Sequence, residues 1–117
     1  MKPASIKSAV TVDDLEKLDI RVGTIQNVED VPDSKKLVCL SVDFGDHVRT
    51  VLVGMKSERQ DPAEVEGRQA LFVVNLPPRR MADLISEAML FDIGFEDGIS
   101  PVLAMPEKPV PNGSRAG

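Results

Sequence analysis

The run from Val74 to Gly94 constrains the fold most, because it makes one strand end and another begin. It opens with apolar residues, is interrupted by Pro77 and Pro78, and becomes apolar again from Met89. Proline has no amide hydrogen to donate to a ladder, so the chain must leave the sheet at the break. The run therefore predicts two strands joined by an exposed segment, an arrangement typical of a binding surface on a small barrel.

Short extended segments account for most of the remaining chain. Apolar alternation and turn signals predict strands over residues 19–30, 38–44, 48–53, 70–76 and 89–95, with an edge piece over 99–105. In the first strand the alternation slips at Gly23, which predicts a bulge or sharp bend there.

Helical signals are few and short. Thr11 followed by Asp14 has the spacing of a capping box, and predicts a helix over residues 12–18. Asp61 and Pro62 begin a one-turn helix that Gly67 ends. The apolar spacing over 81–88 also fits a helix, but it competes with the following strand, so we expect one turn at most.

This order of elements predicts an all-β OB-fold. We expect a five-stranded Greek-key barrel with a short N-terminal helix, a one-turn helix between the third and fourth strands, and a C-terminal extension. The chain has 117 residues, which suffices for one domain with a modest core. We divide it into a flexible tail over 1–10 and the barrel with its extensions over 11–117.

Composition narrows the class of protein. Fourteen Lys and Arg face nineteen Asp and Glu, for a net charge of -5, so any nucleic-acid binding must use a local basic patch. No apolar run approaches the ~18–20 residues that cross a bilayer, and the N-terminus lacks a secretory signal. With a single cysteine, Cys39, no disulfide can form within the chain, so we expect a cytoplasmic protein with no membrane insertion.

The sequence offers little chemistry. His47 is the only histidine and lies in a predicted hairpin turn, and no Cys–His spacing supports a metal. A nucleophile at Ser86 or Cys39 would have to use this distant histidine as its base. We therefore predict a binding module that is not an enzyme and that uses neither a cofactor nor a metal.

Arg79 and Arg80 are the best candidates for recognition. They follow the proline break, and guanidinium groups bind phosphate oxygens bidentately. A solubilising charged loop is the alternative. The loop after the first strand carries Lys36, at the position where OB-folds contact oligonucleotides. A solvated turn, favoured by the acidic residues nearby, is the alternative. Arg21 is predicted to face outward.

Three apolar side chains suggest a second kind of site. Met81, Leu84 and Ile85 would suit a promiscuous groove for extended polypeptides, because methionine adapts its shape. Core packing is the alternative for these side chains.

Four segments and the C-terminus resemble the tRNA-binding domain family. They are DIRVGTI at 19–25, VPDSKKL at 31–37, VDFG at 42–45, VNLPPRRMADLISEAMLF at 74–91 and EKPVPNGSR at 107–115. Within that family the chain looks most like the CsaA subgroup, described as tRNA-binding and as a chaperone related to protein export. The resemblance covers roughly residues 15–115.

The resemblance implies a homodimer that binds the outer corner of folded tRNA by shape and backbone, without catalysis. It implies an RNA-binding surface made of Arg21, Lys36, Asn75, Arg79, Arg80 and Ser86. The alternative it carries is chaperone-like binding of unfolded or export-bound polypeptides. High salt would separate the two, because phosphate contacts weaken with salt and apolar contacts do not.

Overall fold

The computed structural model of the chain describes residues 2–117, which are mostly β. The strands are β1 (Ile20–Asp30), β2 (Val38–Asp43), β3 (Val48–Val53), β4 (Gln69–Val73), β5 (Arg79–Met81), β6 (Leu84–Ser86), β7 (Met89–Leu90), β8 (Asp92–Ile93) and β9 (Val102–Leu103). Five of them form one antiparallel sheet in the order β3-β2-β1-β4-β7. Two small hairpins, β5–β6 and β8–β9, lie outside that sheet.

The order of the first four strands is a Greek key. Strands β1, β2 and β3 follow one another as a meander, and β4 returns to pair with the opposite edge of β1. This is the 4-1-2-3 order that defines the motif. The prediction of an OB-like barrel is confirmed, and the sheet is strongly bent around one core.

Side chains help to close the barrel where the ladder is missing. The free edge of β3 donates its Thr50 amide to Glu87 Oε1 at 2.9 Å and its Leu52 amide to Ser86 Oγ at 3.0 Å. The Glu87 amide donates in return to the Thr50 carbonyl at 2.8 Å. An open edge exposes unpaired backbone groups, so these three bonds supply part of what a fifth, closing ladder would otherwise supply.

The core lies inside the bent sheet. Its largest fully buried side chains are Phe72, Ile25, Leu40, Val42, Val51 and Val65. The first five come from β1 to β4, because alternate positions of each strand face inward. Val65 comes from a 3₁₀ helix over Pro62–Val65, which covers the end of the barrel.

Both predicted helices are present. Helix α1 spans Val12–Glu16, and the Thr11 hydroxyl caps it by accepting from the Asp14 amide at 3.1 Å. The turn over Pro62–Val65 lies between β3 and β4, and its cap is Asp61, whose carboxylate accepts from the Ala63 amide. A further 3₁₀ helix over Met55–Ser57 was not predicted.

The bulge predicted at Gly23 is wrong in position. The register of β1 against β2 shifts between Ile25 and Asn27 instead. Gly23 is needed for close packing, because a Cβ there would lie 2.5 Å from Val42 Cγ1 and 2.9 Å from Phe44 Cε1. A glycine in a strand has two such uses, and the sequence does not tell them apart.

The helical turn allowed for 81–88 is also absent, since this segment forms the β5–β6 hairpin. Ala82 and Asp83 both have positive φ, at 48° and 64°, as in a type I′ turn. Cross-strand pairing of Met81 with Leu84 fixes the register. Bonding to the edge of β3 favours the hairpin over an isolated helical turn.

The last strands are shorter than predicted. The segment 89–95 divides into β7, which pairs with β4, and β8, which pairs with β9. Beyond them Phe95 begins a 3₁₀ helix over Phe95–Asp97. Ile93 and Phe95 are 55% and 65% exposed.

The proline-rich C-terminal segment packs on its own barrel, although the sequence offered no partner for it. The Gly113 and Ala116 amides donate to the Val22 and Ile20 carbonyls, both at 2.8 Å. Asn112 Oδ1 accepts from Thr24 Oγ1 at 2.8 Å. The segment therefore lies along β1.

The N-terminal residues contribute no element before α1. Residues 2–10 form neither helix nor strand, and their side chains are exposed. Within residues 2–117 no helix has the length and apolar character that a membrane crossing requires.

Candidate nucleic-acid interface

The β5–β6 hairpin presents the two arginines on opposite faces. Arg79 pairs with Ser86 and Arg80 with Ile85, and neighbouring residues of a strand alternate in direction. Both arginines are exposed. The five ion pairs within residues 2–117 include neither of them.

The loop between β1 and β2 holds Lys36 in an ordered turn. Ser34 Oγ accepts from the Lys36 amide at 3.2 Å. Lys56 ties the loop to the 3₁₀ helix after β3, because its Nζ donates to the carbonyls of Val31 and Ser34 at 2.8 and 2.7 Å and forms an ion pair with Asp30. Lys56 is thus a structural lysine, while Lys36 keeps its side chain exposed.

Lys36 and Arg79 approach the same end of β3. The Lys56 amide donates to the Lys36 carbonyl at 3.0 Å. Arg79 lines a cleft together with Gly54 and Met55, which immediately precede Lys56. The structure therefore brings these two predicted residues to one end of the barrel.

Arg21 is engaged within the chain. Its guanidinium donates to both carboxylate oxygens of Asp19, at 2.9 and 3.0 Å, and about a third of its side chain is exposed. This hydrogen bonding holds the pKa of Asp19 below its usual value and raises the pKa of Arg21. The sequence predicted an outward direction for Arg21 but not its carboxylate partner.

Asn75 uses both ends of its amide to hold the segment between α1 and β1. Its Oδ1 accepts from the Asp19 amide at 2.9 Å, and its Nδ2 donates to the Lys17 carbonyl at 2.7 Å. Asn75 and Arg21 therefore meet at Asp19, just before the start of β1.

Ser86 is buried, with 6% of its surface exposed. Its hydroxyl accepts from the Leu52 amide and donates to the Ala88 carbonyl at 3.1 Å. Both interactions hold the hairpin against β3. The structure thus places Ser86 beneath Arg79, as a support for the surface that Arg79 occupies.

Arg49 is a supporting residue that sequence reasoning missed. One of its guanidinium nitrogens donates to the carbonyls of Val74 and Glu87, at 2.7 and 3.0 Å, and its Nε donates to His47 Nε2 at 3.0 Å. It links β3 to both flanks of the proline break. A cation in the middle of a strand pattern was the one available signal.

His47 lies in the β2–β3 turn, as predicted, but it is not isolated there. Its ring stacks on Phe44 at 5.6 Å between centroids. Its Nδ1 lies 2.5 Å from Asp46 Oδ1, an interaction that lowers the pKa of Asp46.

The three apolar candidates do not share one surface. Met81 lines the cleft that Arg79 borders. Leu84 and Ile85 are 39% and 50% exposed, so the alternative of core packing is wrong for both. Ile85 pairs with Arg80 on the face of the hairpin opposite to Met81.

A Greek-key barrel closed by a short basic hairpin defines the class as an OB-like domain. Residues 20–115 match the family described as “Putative tRNA binding domain”, and the chain belongs to that family. Curated relatives include the methionine–tRNA ligases of Nitrosomonas europaea, 36% identical over 112 residues, and Bacteroides fragilis, 36% identical over 113 residues. These alignments cover 96% and 97% of this chain but 16% of each ligase, so the chain spans a small part of their length.

Three solved structures are matched over the whole of their chains. The MetRS-related protein of Pyrococcus horikoshii is 34% identical with a TM-score of 0.86, covering 95% of this chain and 100% of that one. The chaperone CsaA of Bacillus anthracis is 30% identical with a TM-score of 0.81, covering 94% and 100%. The CsaA chaperone of Picrophilus torridus is 28% identical with a TM-score of 0.80, covering 93% and 100%. Within the family the chain is therefore CsaA-like.

Proposed function

We propose that this chain binds folded tRNA in the cytoplasm by contacting its phosphate backbone, with Arg79, Arg80 and Lys36 as the contact residues. The observation that carries the proposal is the hairpin of the proline break, which exposes two arginines that lack carboxylate partners within residues 2–117. Membership of the family supports tRNA as the polyanion.

A net charge of -5 is compatible with this function because of where the charges lie. Lys17, Arg21, Lys56 and Arg59 are each ion-paired to a carboxylate. Arg79 and Arg80 of the hairpin and Lys36 of the β1–β2 loop form no ion pair within residues 2–117, so they remain available to phosphate, and the local field rather than the net charge governs encounter with phosphate. Few contacts imply modest affinity with a measurable salt dependence.

The other three residues of the predicted surface act by positioning. Asn75 and Arg21 fix the start of β1 through Asp19, and Ser86 fixes the hairpin against β3. Their side-chain groups are already engaged within the chain. Replacing them should therefore weaken RNA binding less than replacing the exposed arginines.

Filter binding of total tRNA across a salt series tests the proposal. Arg79→Glu with Arg80→Glu should abolish binding at low salt, because it removes two phosphate contacts and adds repulsion. Removing the two contacts without adding negative charge would instead make the plot of log affinity against log salt concentration less steep, by about 2. Arg68→Glu with Lys108→Glu is the matched control, because both residues are exposed and line a separate groove. Unchanged binding by a folded hairpin variant, or equal loss in the control, would overturn the proposal.

We further propose a homodimer. Helix α1 buries none of its side chains, and Leu15 and Leu18 are 57% and 44% exposed. Five residues cannot form a stable helix without packing, so a second copy is the partner that suits this apolar face. Ile93 and Phe95 of the β8–β9 hairpin add further apolar surface.

Chaperone-like binding of unfolded or export-bound polypeptides is the second candidate. The exposed Leu84 and Ile85 favour it, since each offers an apolar contact, on opposite faces of the hairpin. Two similar structures also carry the name chaperone. Peptide-array binding that persists at high salt and is lost in Leu84→Ser with Ile85→Ser would support it, and binding lost with salt would contradict it.

A further inference from the structure

A cleft of about 230 Å³ lies between the end of β3, the β5–β6 hairpin, β7 and β9. Its floor contains the buried side chains of Leu52, Met55 and Leu103. Sites for drug-sized ligands measure roughly 300–1,000 Å³, so the occupant of this cleft is smaller. Because these three side chains are apolar, the floor favours a ligand that carries an aliphatic or thioether group.

The wall of the cleft carries the carboxylate of Glu58, which forms no ion pair within residues 2–117. Glu58 is half-buried there, and burial, together with the negative charge of Asp92 in the same lining, raises the pKa of Glu58. Arg59 offsets part of this effect, but its guanidinium is bound to Glu64 at 2.5 Å. A half-buried carboxylate that lacks a dedicated partner is costly, so a ligand cation would stabilise this wall.

The hairpin supplies the opposite charge. Arg79 lines the same cleft and forms no ion pair with Glu58 or Asp92. A ligand with only a positive charge would be repelled by Arg79. A ligand with only a negative charge would be repelled by Glu58 and Asp92. A neutral apolar molecule would leave the Glu58 wall unpaired.

We propose that this cleft binds a free α-amino acid with an apolar side chain. Its ammonium group lies against Glu58 and Asp92, its carboxylate against Arg79, and its side chain over the floor of Leu52 and Met55. A molecule of this class carries both charges and fits a cleft of this size. The cleft shares Arg79 with the proposed RNA contacts, whereas Glu58 and Asp92 belong to the cleft alone.

The test is a titration of the ¹⁵N-labelled full chain with L-leucine and with L-methionine, followed by two-dimensional NMR. Saturable shifts should appear at the amides of Glu58, Arg79 and Asp92. N-acetyl-L-leucine lacks the ammonium group and L-leucinamide lacks the carboxylate, so each should bind at least about tenfold more weakly. Binding of the acetylated molecule as tight as that of L-leucine would overturn the proposal, and would indicate an apolar peptide segment as the occupant.

Two variants separate the site from general effects on the fold. Glu58→Gln removes the charge while keeping the shape, and should weaken L-leucine binding about tenfold or more. Asp92→Asn changes an exposed residue, which tolerates substitution, and should act in the same direction. Glu107→Gln is the control, since Glu107 is exposed and lines a different groove. No shift with either amino acid, or equal binding by both cleft variants and the control, would overturn the proposal.

Discussion

The side chain of Asn75 accepts a hydrogen bond from the backbone amide of Asp19 at 2.9 Å. The side-chain Nδ2 of Asn75 donates to the Lys17 carbonyl at 2.7 Å. One side chain at the end of β4 thereby holds the segment that joins α1 to the barrel. Asp19 in turn binds Arg21 through both carboxylate oxygens. Family resemblance drew attention to Asn75 as an RNA contact, and the structure shows what it already does within the chain.

Asn75→Ala should loosen the segment before β1. We expect faster hydrogen exchange at the Asp19 amide and a loss of about 1 kcal/mol in the free energy of unfolding, because one amide is left without its partner. Asn27→Ala is the control, since the Asn27 side chain bonds only to Glu29 on its own strand. Unchanged exchange at Asp19 would contradict the positioning role.

The pair of Asp19 and Arg21 should make the fold sensitive to acid. The folded-state pKa of Asp19 lies below its ordinary value, so the pair contributes stability above the unfolded-state pKa and loses it as the pH falls through the folded-state value. Carbon-13 NMR titration of the Asp19 carboxylate measures this pKa directly. In Arg21→Gln the pKa should return toward its ordinary value, and an unmoved midpoint would rule out the pair as the cause.

Ser86→Ala should destabilise the fold by about 1–3 kcal/mol, because the buried Leu52 amide would lose its acceptor. Ser57→Ala removes an exposed hydroxyl that donates to the Gly54 carbonyl, and should change stability by no more than about 0.5 kcal/mol. Urea unfolding followed by circular dichroism compares the two. Equal midpoints would show that the Ser86 hydroxyl does not hold the hairpin.

Gly23→Ala should cost about 1–3 kcal/mol, since its Cβ would clash with Val42 and Phe44 in the core. Gly54→Ala is the matched change, because its Cβ would meet only Glu58 Oε2, at 4.0 Å, and the φ of Gly54 is negative. Thermal unfolding measures the difference. If both variants melted together, the close packing around Gly23 would not explain why glycine is present there.

Leu15→Glu with Leu18→Glu should convert the proposed dimer to a monomer, because charged groups in place of the exposed leucines cannot be buried between copies. Light scattering at micromolar concentration reports the mass. Val48→Glu changes an exposed apolar residue at the start of β3 and should leave the mass unchanged. A wild-type chain that is already monomeric would refute the dimer.

Local rules explain which parts of the fold could be predicted. Alternation at Val38, Leu40 and Val42 determines one buried face whatever packs against it, and Asp61 with Pro62 determines a helical turn within four residues. The hairpin over 79–86 was missed because helical spacing and β pairing fit the same residues. Hydrogen bonding to the edge of β3 decides between them, and that edge is distant in sequence.

The sequence alone determined the strand pattern, the breaks between strands and the presence of an arginine pair just after Pro78, because these depend on the residues themselves and their immediate neighbours. Tertiary structure decided which polar groups remain available to a ligand. Arg21 and Asn75 are engaged through Asp19, and Ser86 through the edge of β3. Arg79 and Arg80 form no ion pair with any carboxylate of residues 2–117. Whether a polar side chain is free to bind a ligand depends on hydrogen-bond partners that folding brings together from distant parts of the chain. The residues next to it in the sequence do not identify these partners.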